Sequence, residues 1–448
     1  MNISVVGLGK LGAPWAAVLA SKGHTVIGVD TSPQNVQAIN QGKAPVSETD
    51  LQNLIDESRE NLSATTDLRQ AVLDTQVTFI VVSTPSEPDG GFSLNQVMAA
   101  LGPLGAALKQ KAGYHLVVVT STVMPGDIET RVRPALERFA AKPVGQDLGL
   151  CYNPEFIALG SVIRDMLCPD FILIGESDPR AGDMLAEIHR SVCGGKPGMA
   201  RMNLVNAEVT KLAVNAFVTT KISYANMLAR VCERLPGADA DLVTSALGLD
   251  SRIGGKYLKG AVSYGGPCFP RDNAAFAALG ARLGVPTLLA EATDQTNRAQ
   301  IGALAEIVLA NLPPGGSAGV LGLSYKPNTQ VCTASAGICL ARRLHEAAVP
   351  VIVFDPAALD EARRDLGSTV AYAGSVSECA RKADVLVVCV AWSEFANLSP
   401  DDLRRPTHRP TVIDCWRILN RQELGTVANI IVLGVGSPAA AADDAKAL

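Results

Sequence analysis

The sequence predicts an α/β protein with two Rossmann-like doubly wound domains joined by a long central helix. Three observations carry that prediction. Short β-branched runs alternate with helical stretches in the first and last thirds of the chain. A glycine fingerprint stands between the first such run and the first helical stretch. Residues 203–233 keep helical spacing without a single Pro or Gly.

Taken in order, Ile3-Ser4-Val5-Val6 reads as a short buried strand, followed by Gly7-Leu8-Gly9-Lys10-Leu11-Gly12 and a helix through Leu19. Residues 25–30, 77–82 and 115–119 are three more strands. From Asn203 to Glu233, apolar residues at Val205, Val209, Leu212, Ala213, Ala216 and Phe217 predict one long helix. A second helical block runs from about Asn273 to Leu312 and is interrupted near Gly284-Val285-Pro286. Leu312-Pro313-Pro314-Gly315-Gly316-Ser317 marks a domain boundary. Strands then return at residues 318–322, 349–355, 384–390 and 411–414. One of them ends in Asp355, as an earlier one ends in Asp30. The expected domains are 1–202 for cofactor binding, 203–314 for a helical dimerisation domain and 315–448 for a second Rossmann-like domain. That second domain lacks the glycine fingerprint. Residues 439–448 read as a frayed tail.

Composition narrows the function. The chain has 448 residues, 48% apolar and 4% aromatic, so its core rests on aliphatic side chains. A net charge of −5 with no basic block argues against nucleic-acid binding. No apolar run suggests a membrane span or a leader peptide. The 10 cysteines include no CxxC pair and no metal-ligand spacing, so no metal is expected. A reducing cytoplasm is the expected location.

The first glycine run predicts a dinucleotide site. Gly7 permits a tight turn, Gly9 lets the backbone approach a pyrophosphate, and Gly12 lets helix and strand pack closely. Asp30 has the spacing of a carboxylate that grips a ribose diol, and Thr31-Ser32-Pro33 offers no Arg for a 2′-phosphate, which favours NAD over NADP. Lys10 and Leu11 lie inside the turn. Thr84-Pro85-Ser86 and Ser121-Thr122 follow strands at their carboxyl ends, where ligands bind in such sheets. Plain turn chemistry is the alternative for both, and is preferred for Ser86.

Cys268 stands in Tyr264-Gly265-Gly266-Pro267-Cys268-Phe269-Pro270-Arg271-Asp272, a composition that predicts a loop. A thiolate there, helped by Arg271, can attack an aldehyde and carry it to a thioester; a small packed cysteine is the other reading. Glu208, Lys211 and Asn215 share one face of the long helix. Lys211 and Asn215 suit an oxyanion, and a solvated Glu–Lys pair is the alternative. Glu155, in Asn153-Pro154-Glu155-Phe156, reads as an acid/base or as a helix-start carboxylate.

These pieces together resemble the UDP-glucose/GDP-mannose dehydrogenase family over nearly the whole chain. The similarity lies in GLGKLG, VSTPS, TSTVMPGD, NPEF, AEVTKLAVNAFVTTKISYAN, SRIG, SYGGPCFPRD, GLSYKP, VFDP and AWSEF. The resemblance implies four-electron, NAD-dependent oxidation of a nucleotide sugar, with UDP-glucose the expected one, at C6 to the uronate. It implies Cys268 as nucleophile, Lys211 with Asn215 as oxyanion site, and Asp272 and Thr122 in water positioning or proton transfer. Glu155 matches the family's glutamate in that motif. Lys326 is similar to a substrate-contacting lysine, and Arg252 to an arginine that reaches the partner subunit's sugar nucleotide. Tyr257 and the Gly265-Gly266 backbone would line the substrate pocket, and the long helix would form a homodimer. The chain departs from the family at Leu159, where a second glutamate is usual, and at Arg271, usually Lys. It departs again at Thr329-Gln330-Val331-Cys332-Thr333, which lacks an arginine, and at Asp414-Cys415-Trp416-Arg417, where Arg417 is left to contact substrate. These departures bear on thioester hydrolysis and sugar identity. A two-electron hydroxyacid dehydrogenase and a catalytically impaired nucleotide-sugar binder are the competing readings.

Overall fold

The computed structural model describes residues 1–436; the tail expected to fray lies outside them. The chain divides into two units, Met1–Ala213 and Val214–Leu448, with the division inside the long helix Leu204–Glu233. That helix begins one residue later than predicted and ends where predicted.

The first unit is built on eight strands: β1 (Asn2–Val6), β2 (Thr25–Val29), β3 (Leu62–Thr65), β4 (Val77–Ile80), β5 (His115–Val119), β6 (Leu148–Tyr152), β7 (Phe171–Glu176) and β8 (Gly198–Asn203). Their order is β3-β2-β1-β4-β5-β6-β7-β8. Neighbours are parallel except β6 and β7. The order reverses between β1 and β4, which opens a crevice at the strands' carboxyl ends. β4 and β5 are buried along their whole length, and so are uniformly apolar or internally hydrogen bonded. The helix Gly12–Ser21 buries Ala13, Ala16, Ala17 and Ala20, small residues that let it lie close to the sheet. Trp15 fills the remaining space, edge-on to Phe79 at 5.6 Å and stacked on His189 at 5.5 Å. Each large side chain so buried contributes about 1.5–3 kcal/mol.

The second unit carries β9 (Ala318–Leu321), β10 (Val351–Phe354), β11 (Ala371–Tyr372), β12 (Val385–Val388), β13 (Thr411–Asp414) and β14 (Asn429–Val432). The order is β11-β10-β9-β12-β13-β14, all parallel. It repeats the order of the first six strands of the other sheet. The glycine latch repeats too, in a form the sequence hides. In the first unit a Cβ on Gly12 would lie 1.8 Å from Gly7 O, and Leu8 N donates to Asp30 Oδ2 at 2.7 Å. In the second, a Cβ on Gly337 would lie 1.9 Å from Gly322 O, and Leu323 N donates to Asp355 Oδ2 at 2.7 Å. The paired glycines are present but separated by an inserted loop.

The second helical block forms two helices, Phe269–Leu283 and Leu288–Asn311, divided where predicted. The first starts earlier than the sequence suggested, because Pro270 sits in its first turn, where no hydrogen bond is lost. Cys268, read as a loop residue, is the cap residue at its N-terminus. Among the described residues no helix is long and apolar enough to cross a membrane.

Candidate active site

The glycine turn of the first unit is a preformed cradle. Gly7 has φ +96°, and a Cβ there would meet Val81 O at 2.6 Å, so only glycine fits. A Cβ on Gly9 would meet nothing within 4 Å, so the backbone at that point is open to approach. Lys10 is exposed beside it, and Leu11 packs on the core. Asp30 is partly buried and accepts from Leu8 N at 2.7 Å and Ser32 N at 2.8 Å. It thereby ties the turn to the end of β2. These residues fit an NAD adenosine half: an open turn at a helix N-terminus, with a carboxylate fixed at the next strand end.

The loops after β4 and β5 are tied to each other. Thr84 Oγ1 donates to Thr122 O at 2.7 Å, and Ser121 Oγ donates to Val82 O at 2.6 Å. Pro85 O accepts from Ser93 N at 2.8 Å, closing the turn after Thr84. Glu208, which is fully buried, extends this scaffold. Its carboxylate accepts from Gly126 N at 2.7 Å and Ile128 N at 2.9 Å. Burial pushes it up to about 7, against the lowering effect of those two N–H groups. The solvated Glu–Lys pair weighed from the sequence is therefore not formed; Glu208 is a structural anchor for the β5 loop.

One turn further along the helix, Lys211 Nζ donates to Glu155 O at 2.8 Å and lies 4.6 Å from the centre of the Phe156 ring. Burial pushes the Glu155 carboxyl up to about 7, while Lys211 pulls it down. Asn153, just before it, is held on both sides: His189 Nε2 lies 2.8 Å from its Oδ1, and its Nδ2 donates to Leu173 O at 3.0 Å. Leu159 packs on the first unit's core, as an apolar residue should.

In the second unit, Asn215 Nδ2 donates to Asp272 Oδ2 at 2.6 Å, and Arg271 Nε lies 3.4 Å from Asp272 Oδ1. Asp272 is buried, whereas Cys268, one helical turn before it, is exposed. Gly265 and Gly266 are packed tightly: a Cβ would meet Ala334 O at 2.2 Å and the Tyr325 ring at 2.6 Å, respectively. Tyr257 has φ +63° and meets Phe269 edge-on at 6.1 Å. Lys326 is partly buried in the loop after β9. Arg252 is exposed and paired with Asp250 at 2.6 Å. Arg417 has φ +59°, and its buried guanidinium donates to Asp241 at 2.7 Å, Gly260 O at 2.6 Å and Leu433 O at 2.9 Å. It holds protein rather than presenting an open fork.

Residues 1–193 match the NAD binding domain, 205–299 the central domain, and 319–421 the UDP binding domain of the UDP-glucose/GDP-mannose dehydrogenase family. The chain belongs to that family. A UDP-glucose 6-dehydrogenase, AglM, of Haloferax volcanii is 36% identical over 94% of this chain and 98% of its own. A GDP-mannose 6-dehydrogenase of Pseudomonas aeruginosa is 33% identical over 79% of this chain and 81% of its own. The solved structure of a UDP-glucose dehydrogenase from Pyrobaculum islandicum superposes with a TM-score of 0.87 at 33% identity, covering 97% of this chain and 98% of that one. For a member of the UDP-glucose/GDP-mannose dehydrogenase family the cofactor is NAD.

Sequence reasoning missed Asn226, Asn297 and Gln300, each a buried amide on a helix. The signal that singled out Asn215, an amide among apolar neighbours, applies to Asn226 as well.

Proposed function

We propose that the protein is a nucleotide-sugar 6-dehydrogenase that takes the C6 hydroxyl of UDP-glucose through an aldehyde to the uronate, with Cys268 as covalent nucleophile. The observation that carries this reading is local: an exposed cysteine occupies the N-cap position of a helix whose first turn holds Asp272, itself hydrogen bonded to Asn215. An N-terminal helix position favours negative charge developing on sulfur.

NAD, when bound at Gly7, Gly9, Gly12 and Asp30, supplies a hydride acceptor for each of the two oxidations. The chain's own residues handle protons and oxygen. Lys211 and Asn215 hold the C6 oxygen as its proton leaves. Cys268 Sγ bonds to C6 of the aldehyde, and the carbonyl oxygen becomes the oxyanion those two groups receive. Loss of hydride leaves a thioester. Water then adds to C6, the C–S bond breaks, the thiol is reprotonated, and a carboxylate is released. Glu155, pushed up to about 7 by burial, is suited to pass these protons near neutral pH. Asp272 and Thr122 orient the water. Thr84, Pro85 and Ser121, with Lys10, Leu11 and Arg271, shape the cofactor's surroundings; Tyr257, Gly265, Lys326, Arg252 and Arg417 shape the substrate's.

We further propose a homodimer formed through the long helix. Phe217, Tyr224, Met227 and Val231 are exposed along one helix face and are apolar enough to need a cover. A cytoplasmic setting suits the thiol chemistry.

The test is a panel of UDP-, GDP- and TDP-hexoses mixed with NAD, followed by absorbance and product mass. The expected result is NADH formation with UDP-glucose and a product mass equal to the uronate. NADH with an aldehyde product, or none with any sugar nucleotide, would contradict the proposal.

A further inference from the structure

The backbone from Leu258 to Cys268 forms neither helix nor strand, yet Ala261, Val262, Ser263 and Tyr264 are buried. A buried irregular backbone must find partners for its N–H and C=O groups. Here side-chain amides supply them. Asn226 Oδ1 accepts from Ala261 N at 2.8 Å, and its Nδ2 donates to Val262 O at 3.1 Å. Gln300 Nε2 donates to Ala261 O at 2.6 Å. Asn297 pairs with both groups of one residue: its Oδ1 accepts from Tyr264 N at 2.8 Å and its Nδ2 donates to Tyr264 O at 3.0 Å. Asn226 comes from the long helix, whereas Asn297 and Gln300 lie one turn apart on the helix Leu288–Asn311. All three are buried.

The clasp continues toward the thiol. Gly266 N donates to Thr333 O at 2.8 Å, and neither Gly265 nor Gly266 has room for a side chain. The chain is thus fixed from Ala261 to Gly266, and Cys268 follows two residues later. Asn226 and Asn297 each act as a short strand edge, matching a donor and an acceptor to backbone that has no sheet neighbour, and Gln300 adds one donor. An aliphatic side chain of similar volume would fill the space without fixing the direction of the loop.

We propose that Asn297, with Gln300 and Asn226, is a positioning residue for Cys268: the amide clasp sets where the sulfur stands. The proposal rests on the reading of Cys268 as nucleophile, but its first readout does not require activity.

The experiment uses the full chain with Asn297→Ala, Gln300→Met and Asn297→Asp. The last keeps the acceptor for Tyr264 N–H while losing the donor. Iodoacetamide labelling of Cys268 is followed by peptide-resolved mass spectrometry, relative to exposed Cys168 in the same sample. The expected ratio shifts by about threefold or more in Asn297→Ala and by less in Asn297→Asp, since small misplacements have large effects on reactivity. With UDP-glucose, kcat is expected to fall about tenfold while NAD affinity stays within about twofold, which separates positioning from unfolding. Gln300→Met, which removes one donor only, decides the matter if Asn297→Ala fails to fold. An unchanged labelling ratio in the folded variants overturns the proposal. Full uronate yield from Cys268→Ser would instead overturn the nucleophile reading while leaving the labelling result interpretable.

Discussion

Asn215 and Asp272 are joined by a 2.6 Å hydrogen bond from amide to buried carboxylate, and Cys268 stands one turn before that carboxylate. The bond fixes the Asn215 amide through one of its two N–H groups. Replacing Asn215 with Ala leaves the Asp272 carboxylate short of a partner and, in the proposed mechanism, removes an oxyanion donor. The expected loss in kcat is about 10²-fold or more, with NAD affinity unchanged. Steady-state kinetics alongside NAD titration checks it, and an unaltered kcat would remove Asn215 from the chemistry.

Asp30 has two tasks in this structure. It orders the glycine turn through Leu8 N, and in the proposed cofactor site it reads the ribose. Asp30→Ala should therefore weaken NAD binding about tenfold or more, since both the ribose acceptor and the turn's latch are lost. Calorimetric titration gives the answer directly. Equal affinity in the variant would mean that the ribose is held by other groups.

Glu208 makes stability depend on pH in a defined direction. Its carboxyl is pushed up to about 7 by burial, so between about 4.5 and 7 the folded chain binds a proton that the unfolded chain does not. Stability from this group falls as pH rises through that window and stays lower above it, by up to about 3 kcal/mol. Buried His189, pushed down to about 4, works in the opposite direction over the acid part of the range. The prediction therefore concerns a difference: urea unfolding at pH 5 and pH 7.5 should show Glu208→Gln losing this share of the slope. Parallel pH profiles for wild type and variant would refute it.

Glu155 should appear in the rate rather than in stability alone. With its carboxyl up at about 7, the pH profile of kcat should carry a limb near that value, and Glu155→Gln should flatten it. A limb that persists in the variant would assign it to another group.

Much of this was legible in the chain, and the reasons differ by residue. β5 reads cleanly because a strand buried on both faces must be almost wholly apolar. β8, GMARMN, is only partly buried and carries no such run, and β11 has two residues, so neither stands out. Gly7 and Gly12 announce their turn because they are close in sequence. Gly322 and Gly337 do the same work across an inserted loop, which no local motif reveals. The candidate site shows the same split. Cys268, Lys211, Asn215 and Asp272 sit in compact motifs, while Asn297 and Gln300 act through backbone far away in sequence. Their partners are carbonyl and amide groups that every residue has, so nothing in the sequence marks the pairing.

The most direct measurement is a single-reaction balance on wild type and Cys268→Ser with UDP-glucose and excess NAD. The account predicts two NADH for each UDP-glucuronate in the wild type and no uronate from the variant. Uronate formed at the normal yield by Cys268→Ser would contradict it.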